Sequence, residues 1–415
     1  MSNHRTLDTS NADHLTYEQG VLGIAVLGGI RLDGLDRMRA TLKVQSEHLS
    51  IRHNLDLYND TQVEKLVRKI AERLEVGTSV AAAALQSLTD QLEQYRLEEL
   101  EKLTQSDDKR KLLSPEEIQQ AKAYLSAPNL MQRTKADIGR AGVIGEEDNR
   151  LLMYVIFTSR KRENPLHVIS LGASGIGKTH LQEKVSALIP EEDKLEITSL
   201  SGNAFYYFGQ QELRNKLILI EDLDGAEEVL YPLREIKSKK QVTKTVVIKN
   251  TKGETRTVTL KVEGPVCVSG CTTKESLYED NANRSFLLYI NESPEQDEQI
   301  MSYQRKLSAG KIDLGAAHKL QEAFKDMQRI LQPVQIRNPF AEMLRIPNEV
   351  FKPRRSNAHY LAFIEAVTFY HQYQRESKVD TQTGEMFIET SIEDIKQANG
   401  LMKAVLLRKA DEGTG

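Results

Sequence analysis

The sequence contains no tryptophan, only two cysteines and no long hydrophobic run. Cys267 and Cys271 have no second Cys or His pair nearby, so we expect buried structural thiols in a reducing compartment, not a disulfide or a zinc site. The longest apolar run, residues 21–30, has ten residues and is too short to span a bilayer. It also lacks the basic leader of a secretion signal, so the sequence predicts a cytoplasmic protein.

The chain also lacks an excess of positive charge. Its 415 residues carry a formal net charge of −4, and 39% of them are hydrophobic and 28% charged. This composition is typical of a globular protein, and the length supports about two or three domains. Because nucleic-acid affinity depends on the charges at the contact surface, any DNA contact must come from a local basic segment.

Glycine is concentrated in one loop. An apolar run over residues 167–171 leads into Gly-Ala-Ser-Gly-Ile-Gly-Lys-Thr and then into a helical pattern. This order of strand, glycine loop and helix is the phosphate-binding P-loop, in which backbone N–H groups and a lysine surround the phosphates of ATP. We expect the lysine to contact the outer phosphates and the threonine to bind Mg²⁺. The loop consists of Gly172, Ala173, Ser174, Gly175, Ile176, Gly177, Lys178 and Thr179.

Two acids follow the next apolar run. Residues 216–220 predict a buried strand that ends at Glu221 and Asp222. Ligands of open parallel sheets bind at the carboxyl ends of the strands, so both acids can face the triphosphate. We expect Glu221 to hold Mg²⁺, Asp222 to orient or deprotonate the attacking water, and Asp224 to be structural. The alternative is a buried strand that ends in a solvated acidic turn.

A basic segment occupies residues 236–264. Thr, Val and Ile alternate with Lys and Arg on both sides of residues 250–253, which predicts a hairpin with stems over 242–249 and 255–262. The hairpin has no aromatic residue, so its cations would grip the backbone of single-stranded DNA without sequence preference. The alternative is a solvated edge ribbon protected by lysines. The cations are Lys237, Lys239, Lys240, Lys244, Lys249, Lys252, Arg256 and Lys261, and we expect Lys244, Lys249, Lys252 and Arg256 to bind DNA.

Two further positions follow the hairpin. Residues 266–269 predict another core strand, and Thr272, within one residue, is the candidate for sensing the γ-phosphate. Arg284 precedes a further apolar strand. Ring-forming ATPases place an arginine there that completes the site of a neighbouring subunit, whereas in a monomer it is an ordinary surface residue.

This order of elements resembles the AAA+ ATPases and, within them, the minichromosome-maintenance-like helicase branch. The resemblance covers about residues 138 to 375. It implies a ring, expected to be a homo-hexamer, in which Arg284 acts on a neighbour and Arg355 is a second sensor that reaches the γ-phosphate. The matching stretches are an acidic turn at 144–152, the P-loop, the acidic strand with its hairpin, NRSFLLYI at 283–290 and KPRRS at 352–356.

Residues 163–235 also resemble the helicase module of bacterial mobile-element DNA primases. Residues 1–140 contain no zinc-finger pattern of the CHC2 type and no acidic Toprim signature, so we do not expect primer synthesis. The resemblance has two departures. The acids run Glu then Asp instead of Asp then Glu, which moves the base back by about one methylene and predicts slow turnover. In addition, the family's lid is usually followed by a winged-helix domain, which we expect to be either missing here or supplied by another chain.

The overall prediction is an α/β AAA+ core, with a parallel sheet flanked by helices, between a helical N-terminal region and a helical C-terminal lid. The predicted boundaries are 1–110 for the mainly helical N-terminal region, 111–137 for a helical connector, 138–310 for the AAA+ core and 311–415 for the helical lid and C-terminal tail. We expect an ATP-dependent DNA helicase or translocase that acts in the replication of a mobile element and does not contact a membrane. The alternative is an ATP-gated switch or helicase loader that binds DNA or a partner such as a primase without unwinding. The aromatic loop at 203–208 is either core or a second pore loop.

Overall fold

The computed structural model describes residues 7–30, 37–105, 111–197, 204–208, 212–225, 227–249, 255–273, 284–347 and 353–411. The chain falls into two compact units, Met1–Arg110 with Val246–Val258 and Lys111–Thr245 with Thr259–Gly415. Within the described ranges, no helix has the length and apolar character needed to cross a membrane.

The first unit begins with a five-stranded antiparallel sheet whose strands lie in sequence order. The strands are β1 (Leu7–Asp8), β2 (His14–Gln19), β3 (Leu22–Leu27), β4 (Arg39–Ser46) and β5 (Leu49–Asp56). Two helices follow, α1 (Asp60–Leu74) and α2 (Thr78–Gln105). The buried face of the sheet, including Leu42 and Val44, shares one hydrophobic core with Leu66 and Ile70 of α1.

The prediction of a mainly helical N-terminal region therefore needs a correction, because helices form only its second half. In β3 the buried residues Leu22, Ile24 and Val26 alternate with Gly23, Ala25 and Leu27. Since the second face carries small or apolar residues, the period of two that marks a strand is hidden in a continuous apolar run.

The second unit contains five parallel strands in the order β12-β6-β11-β8-β7. From residue 168 to residue 289 the described strands are, in chain order, β6 (Val168–Leu171), β7 (Lys194–Ile197), β8 (Leu217–Ile220), β9 (Gln241–Lys249), β10 (Thr255–Glu263), β11 (Cys267–Thr272) and β12 (Phe286–Tyr289). Strands β9 and β10 pair with each other as a separate hairpin. All four residues of β6 and of β8 are buried, as expected for strands covered on both faces.

Helices cover this sheet and continue beyond it. They are α3 (Pro115–Ser126), α4 (Leu130–Arg140), α5 (Glu147–Thr158), α6 (Lys178–Ser186), α7 (Glu227–Lys239), α8 (Pro294–Ser308), α9 (Leu314–Ile330), α10 (Pro353–Tyr370) and α11 (Ile392–Asp411). A small sheet of β13 (Gln335–Arg337), β14 (Lys378–Val379) and β15 (Met386–Glu389) has the order β13-β15-β14. The predicted α/β fold, a parallel sheet flanked by helices with helices at the C-terminus, is confirmed.

Two short segments show how local sequence sets local structure. Helix α3 begins with a capping box: the backbone N–H of Glu117 donates to Ser114 Oγ at 3.2 Å, and that of Ser114 donates to Glu117 Oε2 at 2.8 Å. Strands β9 and β10 cover both predicted hairpin stems. The predicted turn at 250–253 lies outside the described residues.

Candidate functional site

The P-loop joins β6 to α6. Its three glycines, Gly172, Gly175 and Gly177, have φ values of +142°, +84° and +99°, a region that side chains rarely adopt. Helix α6 starts at Lys178, directly after the last glycine. The sequence therefore uses glycine where the backbone must turn with its N–H groups facing inward, at the positive end of a helix dipole.

Lys178 is the charged centre of this loop. Its side chain is buried, and Nζ donates hydrogen bonds to the carbonyl oxygens of Gly172 at 2.7 Å and Ala173 at 2.5 Å. The ammonium is thus held over the loop that precedes it. This position suits contact with phosphate oxygens bound in the same loop.

A cleft of about 410 Å³ lies at the carboxyl ends of β6, β8 and β11. Because β11 lies between β6 and β8, the P-loop, the two acids after β8 and the end of β11 meet at one edge of the sheet. The cleft is lined by Ser174, Gly175, Gly177, Lys178, Thr179, His180, Glu221, Asp222, Asp224, Cys271, Thr272 and Thr273.

Asp224 organises the far wall of this cleft. Its Oδ1 accepts a hydrogen bond from Thr272 Oγ1 at 2.6 Å, and its Oδ2 accepts from Thr273 N at 3.2 Å and Thr273 Oγ1 at 2.9 Å. Its own N–H donates to Asp222 Oδ1 at 2.9 Å. Glu221 and Asp222 themselves are exposed. Asp224 therefore joins the ends of β8 and β11, and both acids before it line the cleft.

Gln182 is a positioning residue that the sequence analysis missed. It is 2% exposed, its Nε2 donates to the carbonyl oxygen of Ile220 at 3.3 Å, and its Oε1 accepts from Ser269 Oγ at 2.7 Å. These bonds tie α6 to both β8 and β11. Its only sequence signal is a polar residue one turn after Lys178 on the buried face of α6.

The chemistry of the lining fits Mg²⁺. Thr179, Glu221 and Asp222 supply oxygen atoms to one cleft, which a hard cation prefers. Within the part of the chain that the structure describes, no cluster of three His, Cys, Asp or Glu could hold a metal alone. Burial raises the pKa of Cys271 to about 11, so this thiol is neutral and a poor nucleophile.

Arg284 lies at the other end of the same sheet. Phe286, the first residue of β12, pairs with Val168, the first residue of β6, and Arg284 precedes it by two positions. Arg284 is half-buried and does not line the cleft. Nearby, Lys237 Nζ lies 3.5 Å from Ser285 Oγ, and burial together with the charge of Arg284 lowers the pKa of Lys237 to about 8.

Arg355 lies in the first turn of α10, where it is exposed and outside the cleft. Helix α10 contacts β12 at Phe286, through a stacked ring contact with His359 at 5.1 Å and a tilted contact with Phe363 at 5.7 Å. His359 follows Arg355 by one helical turn. The structure therefore does not bring Arg355 to the phosphate loop of its own chain.

The structure places the predicted hairpin cations in different elements and pairs some of them with carboxylates. Lys237 and Lys239 belong to α7 and not to the hairpin. Among the cations whose side chains the structure describes, Lys239 pairs with Glu235 at 2.5 Å, Lys240 with Glu163 at 3.0 Å and Lys261 with Glu263 at 2.5 Å. The side chains of Lys249, Lys252 and Arg256 lie outside the described residues. Carboxylates therefore offset part of the positive charge of the described side chains.

The aromatic residues Phe205 and Tyr206 of the loop after β7 have different roles. Phe205 is fully buried and makes edge contacts with Phe208 at 5.9 Å and with Tyr206 at 6.4 Å between ring centroids. Tyr206 is half-buried, and Lys244 Nζ of the hairpin lies 5.1 Å from the centre of its ring. Core packing thus accounts for Phe205, while Tyr206 contacts the base of the hairpin.

A second cleft, of about 400 Å³, lies on the β12 side of the P-loop. The acidic turn before α5 fixes its wall: Glu146 Oε1 accepts from Asn291 N at 2.7 Å, and Asn149 Nδ2 donates to the carbonyl oxygen of Tyr289 at 2.9 Å. The sequence predicts the turn but neither of these two hydrogen bonds. The cleft is lined by Leu171, Gly172, Ala173, Thr273, Tyr289, Ile290, Asn291 and Glu292.

Residues 121–333, more than half of the chain, match the family described as the MTBMA_p00010 P-loop domain. The chain belongs to this family. It is therefore a nucleotide-binding protein of the P-loop NTPase class. No curated protein matches its sequence. Among solved structures it is similar to a full-length MCM homolog from Methanopyrus kandleri, with 11% identity and a TM-score of 0.41 over 97% of this chain and 75% of that chain.

Proposed function

We propose that this protein is an ATP-dependent motor on single-stranded DNA, a translocase or helicase that works as a homo-oligomeric ring. The observation that carries the proposal is the separation of two half-sites on one sheet. The phosphate-binding cleft lies at the carboxyl ends of the strands, and Arg284 lies at the amino ends. The hexameric state and the service to a mobile element rest on the sequence resemblance alone.

ATP hydrolysis would use the cleft as follows. The N–H groups of the P-loop and Lys178 hold the β- and γ-phosphates. Thr179 and Glu221 would hold Mg²⁺, which neutralises phosphate charge when bound. Asp222 orients the attacking water and accepts its proton. The Asp224 bridge keeps Thr272 and Thr273 at the γ-phosphate side of the cleft.

Arg284 cannot serve the cleft of its own chain. The four residues of β12 alone span about 13 Å at about 3.3 Å per residue, and Arg284 lies beyond the amino end of that strand. A second copy that packs against this end would receive Arg284 at its own γ-phosphate, where an arginine stabilises the transferred charge. Arg355 lies outside the cleft as well, so we assign it to the same neighbouring site.

The hairpin would be the moving part. Helix α7 follows the acidic turn after β8, and only Lys240 lies between the end of α7 and the start of β9. A shift of that turn between nucleotide states is therefore transmitted directly to the hairpin. Lys244 and the cations toward the tip, Lys249, Lys252 and Arg256, would hold the phosphates of a single strand.

The test is the ATPase rate as a function of single-stranded DNA concentration. Wild type should be stimulated, while Lys178→Ala and Arg284→Ala should be inactive with or without DNA. Lys244→Ala and Lys252→Ala should keep basal hydrolysis but lose stimulation. Lys261→Ala is the matched control, because this hairpin lysine is paired with Glu263. Hydrolysis that ignores DNA and survives Arg284→Ala would instead favour the ATP-gated switch or loader.

A further inference from the structure

The second cleft contains a carboxylate for which the proposed hydrolysis has no use. Glu292 is exposed at the end of this cleft, and its Oε1 lies 3.6 Å from the point that a Cβ on Gly172 would occupy. Among the residues that the structure describes, no side chain or backbone group donates a hydrogen bond to Glu292 or forms an ion pair with it. An open acceptor thus stands beside the first glycine of the phosphate loop.

The backbone that carries this carboxylate is held on both sides. Before it, Glu146 holds Asn291 N at 2.7 Å, and Glu146 itself is only 7% exposed. After it, Asn291 Oδ1 accepts from Ser293 N at 3.1 Å, and Ser293 caps α8 through Gln296 N. The backbone of Glu292 is therefore held beside the P-loop, within reach of a ligand bound there.

A carboxylate beside a phosphate site must face a different part of the ligand. Its charge repels phosphate, so it would weaken nucleotide binding unless it met a hydrogen-bond donor. An ionised carboxylate is an acceptor only, and the ribose of a nucleotide offers hydroxyl donors next to the phosphates. Acidic residues accept such hydroxyls in other nucleotide sites.

We propose that Glu292 accepts hydrogen bonds from the ribose hydroxyls of the bound nucleotide and makes this cleft selective for ribonucleotides over 2′-deoxyribonucleotides. The proposal rests on nucleotide binding at the P-loop, as proposed above. It places the phosphates in the cleft beside β11 and the nucleoside in the cleft beside β12. Glu292 is then a specificity-determining residue, not a catalytic one.

Calorimetric titration of the full chain with ADP and 2′-deoxyADP in the presence of Mg²⁺ tests this. Wild type should bind ADP at least about tenfold more tightly, the usual effect of one hydrogen bond to a charged group. Glu292→Ala should bind ADP as weakly as 2′-deoxyADP, and Glu292→Gln should retain part of the preference because its amide oxygen still accepts. Glu295→Ala is the matched control, since Glu295 is an exposed acid that does not line the cleft.

Three results would overturn the assignment while leaving nucleotide binding intact. The first is a wild type that binds ADP and 2′-deoxyADP with equal affinity, and the second is a preference for ADP that survives Glu292→Ala. The third is a Glu292→Ala variant that binds both nucleotides more tightly by the same factor, because Glu292 then only repels the phosphates. A wild type that binds neither nucleotide would overturn the proposed function as well. Thermal unfolding of each variant checks that the exposed substitutions leave the fold unchanged.

Discussion

The two ends of the central sheet differ in what they can do alone. The carboxyl ends of the strands carry a glycine loop, a buried lysine and two open acids around one cleft. The amino ends carry Arg284 beside Lys237, and α10, which bears Arg355, contacts β12 at its first residue. One end is thus built to bind phosphates and the other to offer cations. This separation supports the proposal that each copy contributes two complementary halves of a shared catalytic site.

The largest effect should come from the carboxyl end. Lys178→Ala removes the ammonium that neutralises the outer phosphates, so we expect nucleotide binding to weaken strongly and hydrolysis to fall to background. Lys184→Ala, an exposed lysine of the same helix, is the matched control and should behave as wild type. Titration with ADP and a phosphate-release assay measure both effects. Normal turnover in Lys178→Ala would remove the cleft from the mechanism.

The next effect should come from the amino end. Arg284→Ala should lower hydrolysis by about 10³-fold, as expected for a transition-state arginine, while nucleotide affinity stays near that of wild type. The same assays detect this separation of binding from turnover. Parallel losses of binding and turnover would show that Arg284 acts within its own chain or supports the fold.

A mixing experiment sharpens the comparison. The Lys178→Ala chain lacks a working cleft but keeps Arg284, and the Arg284→Ala chain has the reverse defect. If the halves meet between copies, a mixture of these two inactive variants should regain part of the wild-type rate. A mixture that stays inactive at concentrations where the wild type assembles would contradict the shared site.

Arg355→Ala should have a smaller effect. Loss of one charge-assisted hydrogen bond to the γ-phosphate should reduce turnover by about tenfold. Mixing with Lys178→Ala should restore activity if Arg355 also serves a neighbour. Arg354→Ala, an exposed arginine one position earlier, is the control. If mixing with Lys178→Ala restores the activity of Arg284→Ala but not that of Arg355→Ala, then Arg355 acts in the site of its own chain.

The smallest effect concerns the exchanged acids. Asp222→Glu extends the carboxylate by one methylene toward the attacking water, so we expect turnover to rise by less than about tenfold. Single-turnover hydrolysis measures the chemical step without product release. A decrease of the same size would show that Asp222 is already at the right distance and that the slow-turnover expectation is mistaken.

Local motifs account for the parts of the site that the sequence could predict. The P-loop, the acids after β8 and the hairpin stems each depend on a short stretch with its own glycine, charge or alternation pattern. The sheet of the first unit was missed because the second face of β3 is also apolar or small. The pairing of Lys240 with Glu163 could not be predicted either, since 77 residues separate the partners.

The nucleotide-binding loop and the order of strand, loop and helix can be read from the sequence, because they depend on neighbours along the chain. Which residues share a cleft depends on the folded structure. The insertion of β11 between β6 and β8 brings Thr272 to Asp224, and the bond from Asn291 to Glu146 brings Glu292 to the P-loop. Such contacts join residues far apart in the chain, and strand order and packing, not local pattern, set them.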